Sequence, residues 1–333
     1  MPQGLPVPLT FLVTVLVAVS IIEMSWLGPF AVLVLAALVF DLINPRLLSL
    51  PTVSIMLQQV AVIGLLALGQ TVIILTAGID LSVGAAMILA QMVMAGLAIS
   101  SGVPTVLALG IGLLVAIATG FVNGLLVTRL RVPPFIGTLG TLGIFGAVGL
   151  KYADGQTLTP GPNSFLLWTG KVVQLGTFRI TVGVLMMIAL YVVVGYALGR
   201  TAWGKHVYAV GDDLEAARLT GIRTARLLLS VYVAAGLVYG IAAWVQIGRV
   251  GDASTDISST LNLDSITAVV IGGVSLFGGR GIVLGTLFGA LIVQVFATGL
   301  ALAGVDDLYQ QAAEGLLVIA AVSLDQWIRK VRR

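Results

Sequence analysis

Apolar runs of close to twenty residues recur along the whole chain, and a run of that length crosses a lipid bilayer as a helix. They lie at 8–25, 28–43, 53–76, 83–100, 104–127, 135–150, 180–199, 226–247, 283–303 and 310–328, with a shorter apolar piece at 265–277. In hydrocarbon the backbone must satisfy its own hydrogen bonds, so the expected fold is all-α. The reading is one transmembrane domain over 1–333, a polytopic membrane helix bundle of ten core helices within 28–328. The stretch 8–25 is an extra N-terminal hydrophobic helix, or else part of a long first helix broken at Gly28-Pro29.

Composition narrows the function. Hydrophobic residues make up 59% and charged residues 9% of the chain, and mean hydropathy is +1.12; a soluble domain carries about a quarter charged residues. The 41 glycines suit closely packed transmembrane helices. Cysteine is absent, which removes disulfides, thiolate catalysis and cysteine metal sites. The single histidine, His206, sits in a charged loop, and one ligand does not make a metal site. No paired acids or nucleophile–base pair suggests catalysis, so neither an enzyme nor a cofactor is expected. The net charge of +3 does not point to nucleic acid, because the basic residues flank apolar segments, as in a positive-inside topology. The first ten residues contain no Lys or Arg, so 8–25 is expected to stay as a helix and not to be cleaved as a signal peptide.

Lys and Arg also set the orientation. Arg129 and Arg131, the group Arg200, Lys205, Arg218, Arg223 and Arg226, and the terminal Arg329, Lys330, Arg332 and Arg333 mark the cytoplasmic side. The connections around Arg46, at 151–179 and at 249–264 are placed in the periplasm, and the C-terminus in the cytoplasm.

Two stretches interrupt the apolar pattern: 77–84, with Gly78, Asp80 and Ser82, and 272–281, with Gly273 and Ser275. One break per half is the pattern of a transporter built from internal repeats with its pathway at the breaks; two ordinary turns would look similar. Asp80 stands before a helix start, where a carboxylate can cap backbone N–H groups or contact substrate. Gly281, Gly285 and Gly289 recur every four residues, as do Gly236 and Gly240, giving a smooth face for helix packing within the subunit or at a dimer seam. Residues 199–206 come close to a phosphate-binding loop, but His206 replaces the Ser or Thr that would hold magnesium, so the match is taken as chance.

Residues 208–222 form a long cytoplasmic loop, part of the 200–226 connection. Asp212 or Asp213 can cap a short helix in it, Ala216 and Ala217 keep one face slim, and Gly221 ends it. Leu214, Arg218 and Leu219 could dock on a partner, or the loop could be simply solvated.

Here the chain resembles the permease subunits of bacterial ABC importers for monosaccharides of the ribose, xylose and fructose type. The resemblance runs from about Asn44 to Asp325. It rests on 78–84, Asn123-Gly124, 132–136, 138–141, 208–211, 215–222, 270–273, 278–281 and 309–311. It implies a pore-forming, non-catalytic subunit of the inner membrane. The implied partners are a second permease copy, cytoplasmic ATP-binding subunits, a periplasmic sugar-binding protein and the bilayer. It also makes 215–217 similar to the loop that engages the ATPase, so Asp213, Glu215, Ala216, Ala217, Arg218 and Gly221 are the coupling candidates. Gln70, Gly78, Asp80, Ser82, Gly273 and Ser275 are the pathway candidates. Gln70 stands where the family often has Met, and Ala77 where it often has Gly. The rival function is an ion-coupled secondary transporter, which needs buried ionisable groups; the sequence offers little beyond Asp80.

Overall fold

The computed structural model describes residues 26–176, 178–255 and 260–331; the 8–25 segment, Ser258 and Arg333 lie outside them. The long helices are α1 (Leu27–Ile43), α2 (Leu50–Ile74), α3 (Val83–Ile99), α4 (Thr105–Thr128), α5 (Pro134–Tyr152) and α6 (Val182–Arg200). Two short helices follow, α7 (Ala202–Asp212) and α8 (Leu214–Leu219), and then α9 (Thr224–Val250), α10 (Thr260–Ile271), α11 (Val283–Leu302) and α12 (Asp307–Val331). Prolines open α2 and α5, where a missing N–H costs nothing. Gly251, at φ 90°, closes α9.

Among the described residues, six helices are long and apolar enough to cross a membrane: α2, α4, α5, α6, α9 and α11. The other apolar helices, α1, α3 and residues 261–271 of α10, are shorter. α12 is long but carries Asp307, Glu314 and Asp325. This is a multi-pass helical membrane protein. One element escapes the all-α expectation: in the 151–179 connection a 3-10 turn (Phe165–Gly170) leads into a hairpin of β1 (Val172–Leu175) and β2 (Phe178–Thr181).

Glycines bring the helix backbones together. A Cβ on Gly236 of α9 would lie 2.4 Å from the Ala116 carbonyl oxygen of α4, and one on Gly120 would lie 2.2 Å from that of Tyr232. On α11, a Cβ on Gly289 would lie 1.8 Å from the Ala268 carbonyl oxygen of α10, and one on Gly285 would lie 2.1 Å from that of Gly272. These glycine faces therefore pack within the chain. Gly281 is the exception to the expected stripe: it lies before α11 begins, at φ 139°, against Val274. The helix cannot extend back to it, since that conformation is not helical. Outward faces of α4, α5 and α6 carry exposed Leu107, Leu114, Ile144 and Val192, the surface expected against lipid.

One end of the bundle holds the hairpin. There Asn44 Nδ2 donates to the Leu302 carbonyl at 2.9 Å, and Leu158 pairs with Ala253. The opposite end holds α7 and α8.

Candidate functional site

The first break, 75–82, separates α2 from α3. Its centre is Asp80, 1% exposed. The helix cap position is Ser82, so Asp80 acts two residues before it. Its Oδ1 accepts from the Ser82 N–H and the Ser82 hydroxyl, both at 2.7 Å. Asn123 Nδ2 of α4 donates to Ser82 Oγ at 2.8 Å, and Thr141 Oγ1 of α5 donates to Asn123 Oδ1 at 2.7 Å. Thr138 of α5 accepts the Leu81 N–H at 3.1 Å. Gln70 Nε2 of α2 donates to the Asp80 carbonyl. One connected polar chain thus ties three helices, α2, α4 and α5, to the break, and buried networks of this kind hold their members in a single arrangement.

Gln70, Gly78, Asp80 and Ser82 are all buried, and Gln70, Asp80 and Ser82 are members of this network. Gly273 is exposed and Ser275 is buried in the second break. Asn123, Thr138 and Thr141 were not singled out as site residues in the sequence. The usable signal was a polar Asn and a Thr pair three residues apart in otherwise apolar helices.

The second break, 272–282, separates α10 from α11. Its shape comes from glycines 273, 278, 279 and 281, with φ of 82°, 82°, 70° and 139°. The two breaks meet: the Gly279 N–H donates to the Leu75 carbonyl at 3.0 Å.

Helix α7 reaches this meeting point. Trp203 Nε1 anchors it to Ser230 of α9 at 2.9 Å. The Tyr208 hydroxyl donates to the Gly281 carbonyl at 2.9 Å, and burial pushes that phenol's pKa up, keeping the proton on the donor. Next comes α8. Asp213 Oδ1 accepts the Ala216 N–H at 2.9 Å. At the other end Gly221 has φ 90°, with bonds from Gly221 N to Arg218 O and from Ile222 N to Ala217 O; this pattern closes a helix with glycine in the left-handed position. Glu215, Ala216 and Arg218 are exposed, Leu214 is 45% exposed and Leu219 88%. Ala217, expected to face a partner, is 4% exposed and belongs to the chain's own core.

Residues 52–322 match the family model described as branched-chain amino acid transport system / permease component. The chain belongs to this permease family. The permease is 46% identical to the fructose import permease protein of Rhizobium meliloti over 308 residues, 91% of this chain and 86% of that one. It is 38% identical to the ribose import permease protein of Bacillus subtilis strain 168, over 91% of this chain and 93% of the relative. Against the galactose/methyl galactoside import permease protein of Escherichia coli K12 it is 33% identical, over 87% and 90%. No solved structure matches the permease.

Proposed function

We propose that this permease forms the membrane passage of an ATP-driven importer that moves a monosaccharide, a pentose or hexose, from periplasm to cytoplasm. The observation that carries the reading is similarity to fructose, ribose and galactose import permeases along about nine-tenths of the chain. The family description covers amino-acid permeases as well; the relatives narrow the substrate to sugars. Helices α1–α6 and α9–α12 make ten crossings, α7 and α8 lie in the cytoplasm with the C-terminus, and the hairpin end faces the periplasm. A second permease copy, ATP-binding subunits and a periplasmic sugar-binding protein complete the importer. On α8, Leu214 and Leu219 supply the apolar contact with the ATPase, while Glu215 and Arg218 set register at its rim.

The test is co-purification with the cognate ATPase and sugar uptake in reconstituted membranes. Leu219→Asp is expected to lose both ATPase binding and transport while inserting normally. Normal co-purification and normal sugar-stimulated hydrolysis would remove α8 as the docking element, and transport without any ATPase would favour an ion-coupled carrier. Single cysteines at Lys205, Arg218 and Asn163, treated from outside with an impermeant thiol reagent, are expected to label only at 163.

A further inference from the structure

The end of α7 is built against both helix breaks at once. A Cβ on Gly211 would lie 1.8 Å from the Leu75 carbonyl oxygen and 2.6 Å from the Gly279 nitrogen. Those two atoms belong to the groups that bond the first break to the second at 3.0 Å. One on Gly278 would sit 2.7 Å from both the Ala77 nitrogen and the Gly211 carbonyl oxygen, and one on Gly279 would sit 2.8 Å from the Asp212 Cα. Three backbone segments therefore touch with no side chain between them. One turn earlier Tyr208 adds the hydroxyl bond to Gly281, at the far side of the second break. Asp213, two residues after Gly211, caps α8.

Close-packed backbone contacts transmit displacement, because they have no flexible side chain to absorb it. Motion of α8 carried back along the chain reaches Leu75 and Gly279 together at Gly211. The first break is bound by Gln70, Asn123 and Thr138 to helices α2, α4 and α5. The second opens directly into α10 and α11.

We infer that Gly211 and Tyr208 are positioning residues for transport, coupling the position of α8 to both helix breaks so that the two halves of the permease move as a pair. The inference rests on α8 being the docking element. Tyr208 acts as a tether that a phenylalanine ring would fill without holding. Gly211 is the contact point, and any side chain there displaces the bond between the breaks.

The experiment uses the reconstituted complex of permease, ATPase and sugar-binding protein, comparing Tyr208→Phe and Gly211→Ala with the native chain. Each variant is also made with Phe277→Cys, a 45% exposed position in the second break, in a chain with no other cysteine. Both variants are expected to co-purify with the ATPase and to keep sugar-stimulated hydrolysis. Sugar moved per ATP should fall about fivefold or more, and thiol labelling at 277 should stop responding to ATP. Tyr208→Phe decides the matter alone if Gly211→Ala does not insert. Unchanged sugar per ATP with unchanged ATP-dependent labelling would reduce the joint to packing. Loss of ATPase binding in Tyr208→Phe would show that the residue merely shapes the dock, and would equally overturn the inference. Leu219→Asp run in parallel separates the premise from the inference: if it leaves the ATPase bound, α8 is not the dock, whatever the joint variants do.

Discussion

The two helix breaks, one in each half of the chain, are held by opposite means. The break at 75–82 is fixed by side chains: Asp80 and Ser82 bond to Gln70, Asn123 and, through it, Thr141, on three helices. The break at 272–282 is fixed by backbone, through four glycines at positive φ and the contacts of Gly278 and Gly279 with Ala77 and Asp212. Side-chain networks resist movement because each bond lost leaves a buried polar group unpaired. Glycine turns keep alternative conformations close in energy. The first break is thus the more rigidly held of the two and the second the one with more conformational latitude.

The sharpest way to break this comparison is Asp80→Leu, which strips the acceptor from the Ser82 N–H and hydroxyl. Each buried group left unpaired costs about 1–3 kcal/mol, so thermal unfolding should fall by several degrees and transport should be lost. Asp80→Asn keeps an acceptor oxygen and should retain much of the transport. If Asn is as inactive as Leu while both insert normally, charge itself is required and Asp80 handles substrate or ion directly. Next is Gly278→Ala, where a Cβ must enter a left-handed site, 2.7 Å from the Ala77 nitrogen; about 1–2 kcal/mol is expected from φ alone. Ser275→Ala, a side-chain deletion in the same break, should stay within about 0.5 kcal/mol, since among the described residues Ser275 Oγ receives only a long 3.4 Å bond from the Phe277 N–H. A large effect from Ser275→Ala would erase the contrast between the breaks. The smallest effect is Ala77→Gly. Ala77 holds φ 59°, so glycine relieves local strain but frees the unfolded chain, for a net gain below about 1 kcal/mol in thermal unfolding.

Much of this architecture is legible in the residues. Apolar run length places the helices, Gly and Asp between the runs mark both breaks, and Asp213 with Gly221 brackets α8. What the sequence hides is direction. Ala217 reads as a slim outward residue, yet it is buried, because a six-residue helix has no long periodic face to show which side is inward. Gly281 fits a four-residue repeat with Gly285 and Gly289, although the helix begins only at Val283; spacing alone cannot tell a helix turn from the loop before it. The Asp80 network escapes notice because its members lie as far apart as Gln70 and Thr141 and each alone is an ordinary polar residue. The hairpin at 172–181 is short and sits in a polar connection, too weakly patterned to register.

The bond between Leu75 and Gly279 joins residues about two hundred positions apart, whereas the Asp80 network closes among residues made early in synthesis. During insertion the first half can therefore assemble its lock while the ribosome is still adding the second half. Its Leu75 carbonyl must wait, and chain-closure entropy makes so distant a partner a late one to arrive. The two breaks are thus joined near the end of folding, after each half has taken shape. A chain stalled or clipped in the 200–226 connection would leave a membrane-embedded half with an unanswered acceptor at the base of α2, a defect visible to the cell's quality-control proteases before any transport is attempted.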